Sequence, residues 1–182
     1  MRRALGLDSS GLSGKRHEIP AAIRGVYNNF AACLYPDAND FTEEFHEWGH
    51  GSGPFYKAPD EARFVNRVRD MLALEDGSDL YLAGGVPRRW LESREGVRVS
   101  RLATWFGPVS YTLRAGAAPG SIEASVELPS RNPPRTVWLV VRAPSGRIRD
   151  VTINGRPWTR IDARREAIEL PRDSPHLEIR IH

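Results

Sequence analysis

Apolar residues follow two different rhythms along this chain, and the change of rhythm divides it. From Glu18 to Leu34 they recur at Ile19, Ile23, Val26, Tyr27, Phe30, Ala31 and Leu34, the i, i+3, i+4, i+7 spacing of a helix with one buried face. Gly25 weakens that helix by about 1 kcal/mol relative to alanine. Pro36 ends it, and residues 37–40 are predicted to be loop. A second helix is predicted to open at Pro59-Asp60-Glu61, where proline suits the first helical position and two acids complement the N-terminal dipole. It runs through Phe64, Val65, Val68, Met71 and Leu72 to a stop at Asp76-Gly77. Two helices cannot bury such faces alone, so they need the second half of the chain or further helices outside it.

After the second helix the period shortens to two. Segments rich in Val, Ile, Thr and aromatics are punctuated every ten residues or so by Gly, Pro and Asn. The predicted strands are Val97 to Leu102, Val109 to Arg114, Ile122 to Leu128, Val137 to Arg142, Ile148 to Asn154, Ala167 to Leu170 and Leu177 to Ile181, with a lead-in strand at Leu80 to Ala83. Asn154-Gly155 predicts a type I′ hairpin turn, because both residues tolerate positive φ. Short strands with tight turns fit a β-sandwich, in which inward side chains of two sheets interdigitate. Trp138 lies in the apolar run VWLVV and is expected in the core. Trp105 and Trp158 flank turns, where packing is the expectation and a sugar platform the alternative. The fold class is thus α+β, an N-terminal helical segment followed by an all-β antiparallel sandwich.

Composition sharpens the division. The chain has 182 residues, 40% of them hydrophobic, enough for one sizeable core or a core with a helical appendage. No apolar run is long enough to span a bilayer, and MRRALGLDSSGLSGK lacks the apolar stretch of a signal peptide. The chain therefore reads as soluble and unprocessed, with its compartment left open. The single cysteine, Cys33, sits in the apolar context FAACLY and is expected to be packed. Residues 1–84 carry 9 Lys or Arg against 13 Asp or Glu, and residues 85–182 carry 17 against 10. An acidic helical segment, 1–84, and a basic sandwich, 85–182, follow. The arginines of the basic half are scattered singly through alternating strands and read as solvated outer faces rather than a nucleic-acid stripe. Neither nucleic acid nor membrane is expected as a partner.

The order of features carries a resemblance. FVNRVRDMLALEDG, a short strand, GGVPRRWLE, ATWFGPVSYTL, IEASVELPSRNPP and VWLVVRAPSGRIRDVTINGRPW follow one another in a way that resembles the C-terminal end of bacterial glycoside hydrolases built on a toroid of six helical hairpins. The resemblance covers residues 18–171. It implies that the helices are the end of an α/α toroid closed by a terminal β-sandwich. It also implies a carbohydrate substrate and a partner in an upstream catalytic helical domain of the same or a neighbouring chain. Its phrases are structural and say little about which sugar is handled.

Candidate chemistry concentrates in residues 41–61, FTEEFHEWGHGSGPFYKAPDE. It contains a literal H-E-x-x-H, His46-Glu47-Trp48-Gly49-His50, the spacing by which one helical turn offers two imidazoles to zinc. Phe41, Phe45 and Trp48 recur at i, i+4, i+7, so a helix through residue 48 is expected. Gly49, Gly51, Gly53 and Pro54 break its continuation. Tyr56 stands where the metzincin pattern needs a third histidine, so no metal is assigned, and a zinc hydrolase is the alternative reading. No cofactor is called for. Glycosidic cleavage needs an acid to protonate the leaving oxygen and a carboxylate on the other face. Glu44 and Glu47, three residues apart on one helix side, are the catalytic candidates. Glu43, Asp60, Trp48, Phe55 and Tyr56 are the substrate-binding candidates, the aromatics stacking on apolar sugar faces. The second member of a catalytic pair is not identified, and the chain alone is expected to be inactive. A third reading is a non-catalytic module whose basic sandwich grips an acidic glycan or a partner domain.

Overall fold

The computed structural model describes residues 18–35, 40–41, 44–45, 51–52 and 58–182. The chain forms two compact units, Met1–Met71 and Leu72–His182. It has the expected α+β class, with helices first and a β-sandwich-like pair of sheets after them.

In the first unit, helix α1 (Ile19–Cys33) starts with proline in its first turn, the Glu18 carbonyl accepting from the Ala21 and Ala22 amides at 3.0 Å. It ends at Cys33 because Leu34–Tyr35 (β1) turns extended and pairs antiparallel with Asp40–Phe41 (β2). Asp40, predicted as loop, is thus the first residue of a strand. The buried stripe of α1 is Ala22, Val26, Asn29 and Cys33, about a quarter-turn round the helix from the face the apolar spacing selected. Tyr27 and Phe30, on that selected face, are 45% and 40% exposed. Cys33 is buried as expected.

Strands β3 (Glu44–Phe45) and β4 (Gly51–Ser52) pair antiparallel, Glu44 opposite Ser52 and Phe45 opposite Gly51. The helix expected through residues 41–48 is therefore not formed at Phe41, Glu44 or Phe45, all of which are extended. Local spacing favoured helix, but cross-strand hydrogen bonding decided these positions. Phe41 is buried and stacks on Phe64, ring centroids 4.3 Å apart, with Phe30 packed at 6.0 Å from Phe41 and 5.5 Å from Phe64. Phe64 belongs to helix α2 (Ala58–Leu72). None of the helices is long and apolar enough to cross a membrane among the described residues.

Helix α2 stops at Leu72, four residues ahead of the predicted end. Ala73–Asp76 (β5) is a strand, folded back onto Asp79–Leu82 (β6) across a Gly77-Ser78 turn with Gly77 at φ +60°. This is the glycine-first two-residue hairpin turn. Residues Ala73-Leu74-Glu75-Asp76 suit a helix in isolation. Pairing with β6 overrides that preference. The compact unit accordingly begins at Leu72, ahead of the Gly84-Gly85 charge break.

The second unit stacks two sheets. After the 3₁₀ turn at Arg88–Glu92 come β7 (Val97–Leu102), β8 (Val109–Ala115), β9 (Ile122–Glu127), β10 (Thr136–Val140), β11 (Val151–Ile153), β12 (Arg156–Pro157), β13 (Ile161–Asp162), β14 (Ala167–Glu169) and β15 (His176–Ile181). One sheet has the order β13-β14-β10-β6-β5, the other β12-β11-β15-β9-β8-β7. Pairing is antiparallel except for β6 with β10, which run parallel. Each predicted strand is present, with ends moved by a few residues. Strict alternation places Val97 and Val99, Tyr111 and Leu113, and Leu177, Ile179 and Ile181 inward, where they meet Leu80, Leu82, Leu139 and Ile168 in one core. Asn154 and Gly155 adopt φ +51° and +76°, the predicted I′ turn between β11 and β12.

Two contacts fix the sheets' geometry. The Arg135 guanidinium donates from Nε to Asp79 Oδ1 at 3.1 Å and from Nη2 to Oδ2 at 2.8 Å, clamping the start of β10 to the start of β6. That hydrogen-bonded guanidinium holds the Asp79 carboxyl below its usual range. At Gly96, φ is +59° and an added Cβ would overlap the Leu113 carbonyl oxygen.

Gly96→Ala should cost more than about 3 kcal/mol in a urea melt, combining positive φ with a backbone clash. Gly155→Ala, whose Cβ meets nothing within 4 Å, should cost only about 1 kcal/mol. Because the folded Asp79 pKa is lowered, the stability it contributes is present above the ordinary carboxylate range and lost as pH falls through the folded value. The deficit of Asp79→Asn should therefore be seen at neutral pH and close in the acid range; thermal melts across pH check this.

Candidate functional site

Of the residues the sequence singled out, Glu44 opens β3 and Asp60 lies in the first turn of α2. Glu43, Glu47, Trp48, Phe55 and Tyr56, together with His46 and His50, lie outside the described residues. Glu44 thus sits on a strand rather than on the helix that was to pair it with Glu47. Among the described residues no group of three His, Cys, Asp or Glu side chains is gathered to hold a metal ion.

The tryptophans divide by role. Trp138 stacks on Tyr81 with centroids 6.4 Å apart and packs on a small cluster of Leu74, Val140 and Ala167. Trp158 is part-buried against the main core, its indole donating to the Glu169 carbonyl at 2.8 Å and Arg160 lying over its ring. Trp105 is different: it is 75% exposed, so the packing expectation fails there. Its turn is nonetheless braced. The Trp105 amide donates to Glu75 Oε1 at 2.7 Å, and Asn132 donates from its amide to the Phe106 carbonyl at 3.1 Å and from Nδ2 to the Trp105 carbonyl at 3.4 Å. Thr104 and Gly107 exchange backbone hydrogen bonds across the turn, and Phe106 is buried beneath it. A large indole held in solvent on a fixed backbone has only its two side-chain torsions to lose when it binds.

A charged cluster joins the 3₁₀ turn to two loops. Arg88 donates to Glu166 Oε2 at 2.7 Å and to the Ala143 carbonyl at 2.6 Å, and Arg142 lies 4.0 Å from the same carboxylate. Burial and the neighbouring Arg88 charge lower the Arg142 pKa. Glu166 sits at φ +52° with Oε1 buried and unbonded among the described residues. Two arginines on one carboxylate make a structural tie rather than an acid–base pair.

A concavity lies on the outer face of the six-stranded sheet. It is a cleft of 730 Å³, within the usual size of a ligand site. Register sets its lining in two rows. Arg98, Thr112, Ser125 and Glu178 stand opposite one another across β7, β8, β9 and β15, and Arg114, Glu123, Arg180 and Thr152 do so across β8, β9, β15 and β11. Short hydroxyl side chains form the floor and long charged ones the walls. Arg114 is tied to Glu123 at 3.0 Å. The arginines that read as scattered along the sequence are brought together here. Their outward position follows from period-two alternation, but their assembly into rows needed the register between strands distant in sequence.

Against known proteins, no family model matches the chain and no curated protein matches it. The functional reading therefore rests on the residues themselves.

Removing Glu166 leaves Arg88 and Arg142 facing each other without a counter-charge. Glu166→Ala should lower stability by about 2 kcal/mol while far-UV circular dichroism of the folded protein stays unchanged.

Proposed function

We propose that this chain is the helix-plus-sandwich portion of a carbohydrate-active enzyme of the glycoside hydrolase type it resembles, working with a helical catalytic domain and inactive by itself. The observation that carries the reading is Trp105. A solvent-held indole on a cross-braced turn, framed by the exposed polar residues Arg131 and Asn132, suits a ligand with one apolar face and a polar edge, which is the chemistry of a pyranose ring. Exposed Tyr27, Phe30 and Val65, the last 63% exposed on α2, support a further helical partner for the first unit. On this reading Glu44 and Glu47 lie in a sugar-facing segment with Glu43, Trp48, Phe55, Tyr56 and Asp60, and the second catalytic carboxylate comes from the partner domain. The sandwich is a structural accessory that also contacts sugar.

The purified chain should not hydrolyse aryl glycosides. Robust turnover that survives both Glu44→Gln and Glu47→Gln would sink the site assignment. In affinity electrophoresis through gels containing soluble plant polysaccharides, Trp105→Ala should weaken retention about tenfold; equal retention of the variant on every polysaccharide that holds the wild type would remove the main support for the sugar reading.

A further inference from the structure

We infer that the cleft on the outer face of the six-stranded sheet is a binding site for an acidic oligosaccharide, one whose carboxylates alternate with hydroxyls. The inference goes beyond the reading above, since the cleft shares no residue with the Trp105 turn or with residues 41–61.

Three observations carry it. First, the cleft crosses five adjacent strands, β7, β8, β9, β15 and β11, about 19 Å at ordinary strand spacing, so its shape suits an elongated chain. Second, it holds cations without an ion-pair partner among the described residues. Arg114 is neutralised by Glu123, but Arg94, Arg98 and Arg180 make no side-chain hydrogen bond or ion pair among the described residues, although all three line the cleft. A guanidinium matches a carboxylate in a planar, two-bond fork. Third, the charges are interleaved. Glu95, Glu123 and Glu178 stand among the arginines, Thr112 and Ser125 lie between Arg98 and Glu178, and Thr152 ends the other row beside Arg180.

That mixture selects the ligand. A DNA strand carries a phosphate at every step and no hydroxyls along its length to donate to the three glutamates in its path. No aromatic side chain lines the cleft among the described residues, so there is no platform on which bases stack. A sugar acid chain offers carboxylates to Arg98 and Arg180 and hydroxyls that donate to the glutamates and exchange hydrogen bonds with the threonine and serine floor. A neutral oligosaccharide would leave the arginines unanswered.

The test is isothermal titration of the full chain with tetragalacturonate, its fully methyl-esterified form and a twelve-nucleotide single-stranded DNA. Tetragalacturonate should bind, esterification should weaken binding at least about tenfold, and Arg98→Ala and Arg180→Ala should each weaken it about tenfold. These arginines are exposed, so the fold should survive, and thermal melts confirm it. Ser125→Trp, which fills the floor from the solvent side, should abolish binding. Equal binding of the ester, tighter binding of the DNA, or no change in either arginine variant would overturn the site. If tetragalacturonate binding falls in Trp105→Ala but in neither arginine variant, the cleft assignment fails while the carbohydrate reading stands.

Discussion

The second unit depends on the parallel pairing of β6 with β10. Four residues of β6, Asp79 to Leu82, meet Thr136 to Leu139 in register, and the two strands are separated in sequence by three strands of the opposite sheet. Parallel pairs need a long crossover, and here β7, β8 and β9 are that crossover. Once β6 and β10 are joined, the chain between them must lie across the core, which is how Leu80, Leu82 and Leu139 come to share it with Val99, Leu113 and Val126. Arg135 and Asp79 hold the pair at its open end. The charge pair is exposed on the arginine side, so its value lies in setting register more than in energy.

From this frame the two outer surfaces of the sandwich acquire different characters. The outer face of the five-stranded sheet carries Tyr81 and Trp138 in a stacked pair beside Leu74 and Val140. That of the six-stranded sheet carries arginine, glutamate and short hydroxyls. Both faces obey the same alternation. The apolar one is spent on packing, and the polar one is left with guanidinium groups that no carboxylate neutralises among the described residues.

The helical unit is organised by aromatic contact. Phe41, which begins the segment richest in candidate chemistry, is buried against Phe64 and Phe30. Its part is to fix β2 beside the helices, and the neighbouring Glu44 then stands on a short paired strand. An acidic residue on a strand alternates faces with its neighbours every second position, so helix-side arguments for pairing Glu44 with Glu47 lose their footing. What Glu44 retains is its place in an acidic, aromatic stretch between two helices.

Much of the fold was legible in the sequence, because it was local. Helix α1, the strand segments, the I′ turn at Asn154-Gly155 and the change from period 3.6 to period 2 follow from spacing and from which residues tolerate positive φ. Features set by long-range contact were not legible. Ala73 to Asp76 became strand because β6 offered hydrogen bonds that outweighed helix propensity. The buried stripe of α1 turned away from Tyr27 and Phe30 because burial depends on what packs alongside, which no helix encodes alone. Arg98, Arg114 and Arg180, far apart along the chain, met on one face through the registers of β7, β8, β9 and β15. Sequence determined that each arginine points outward; only the tertiary structure decided that they point outward together, because register is set by pairing between distant strands and shifting any one of them by a residue would turn its arginine into the core.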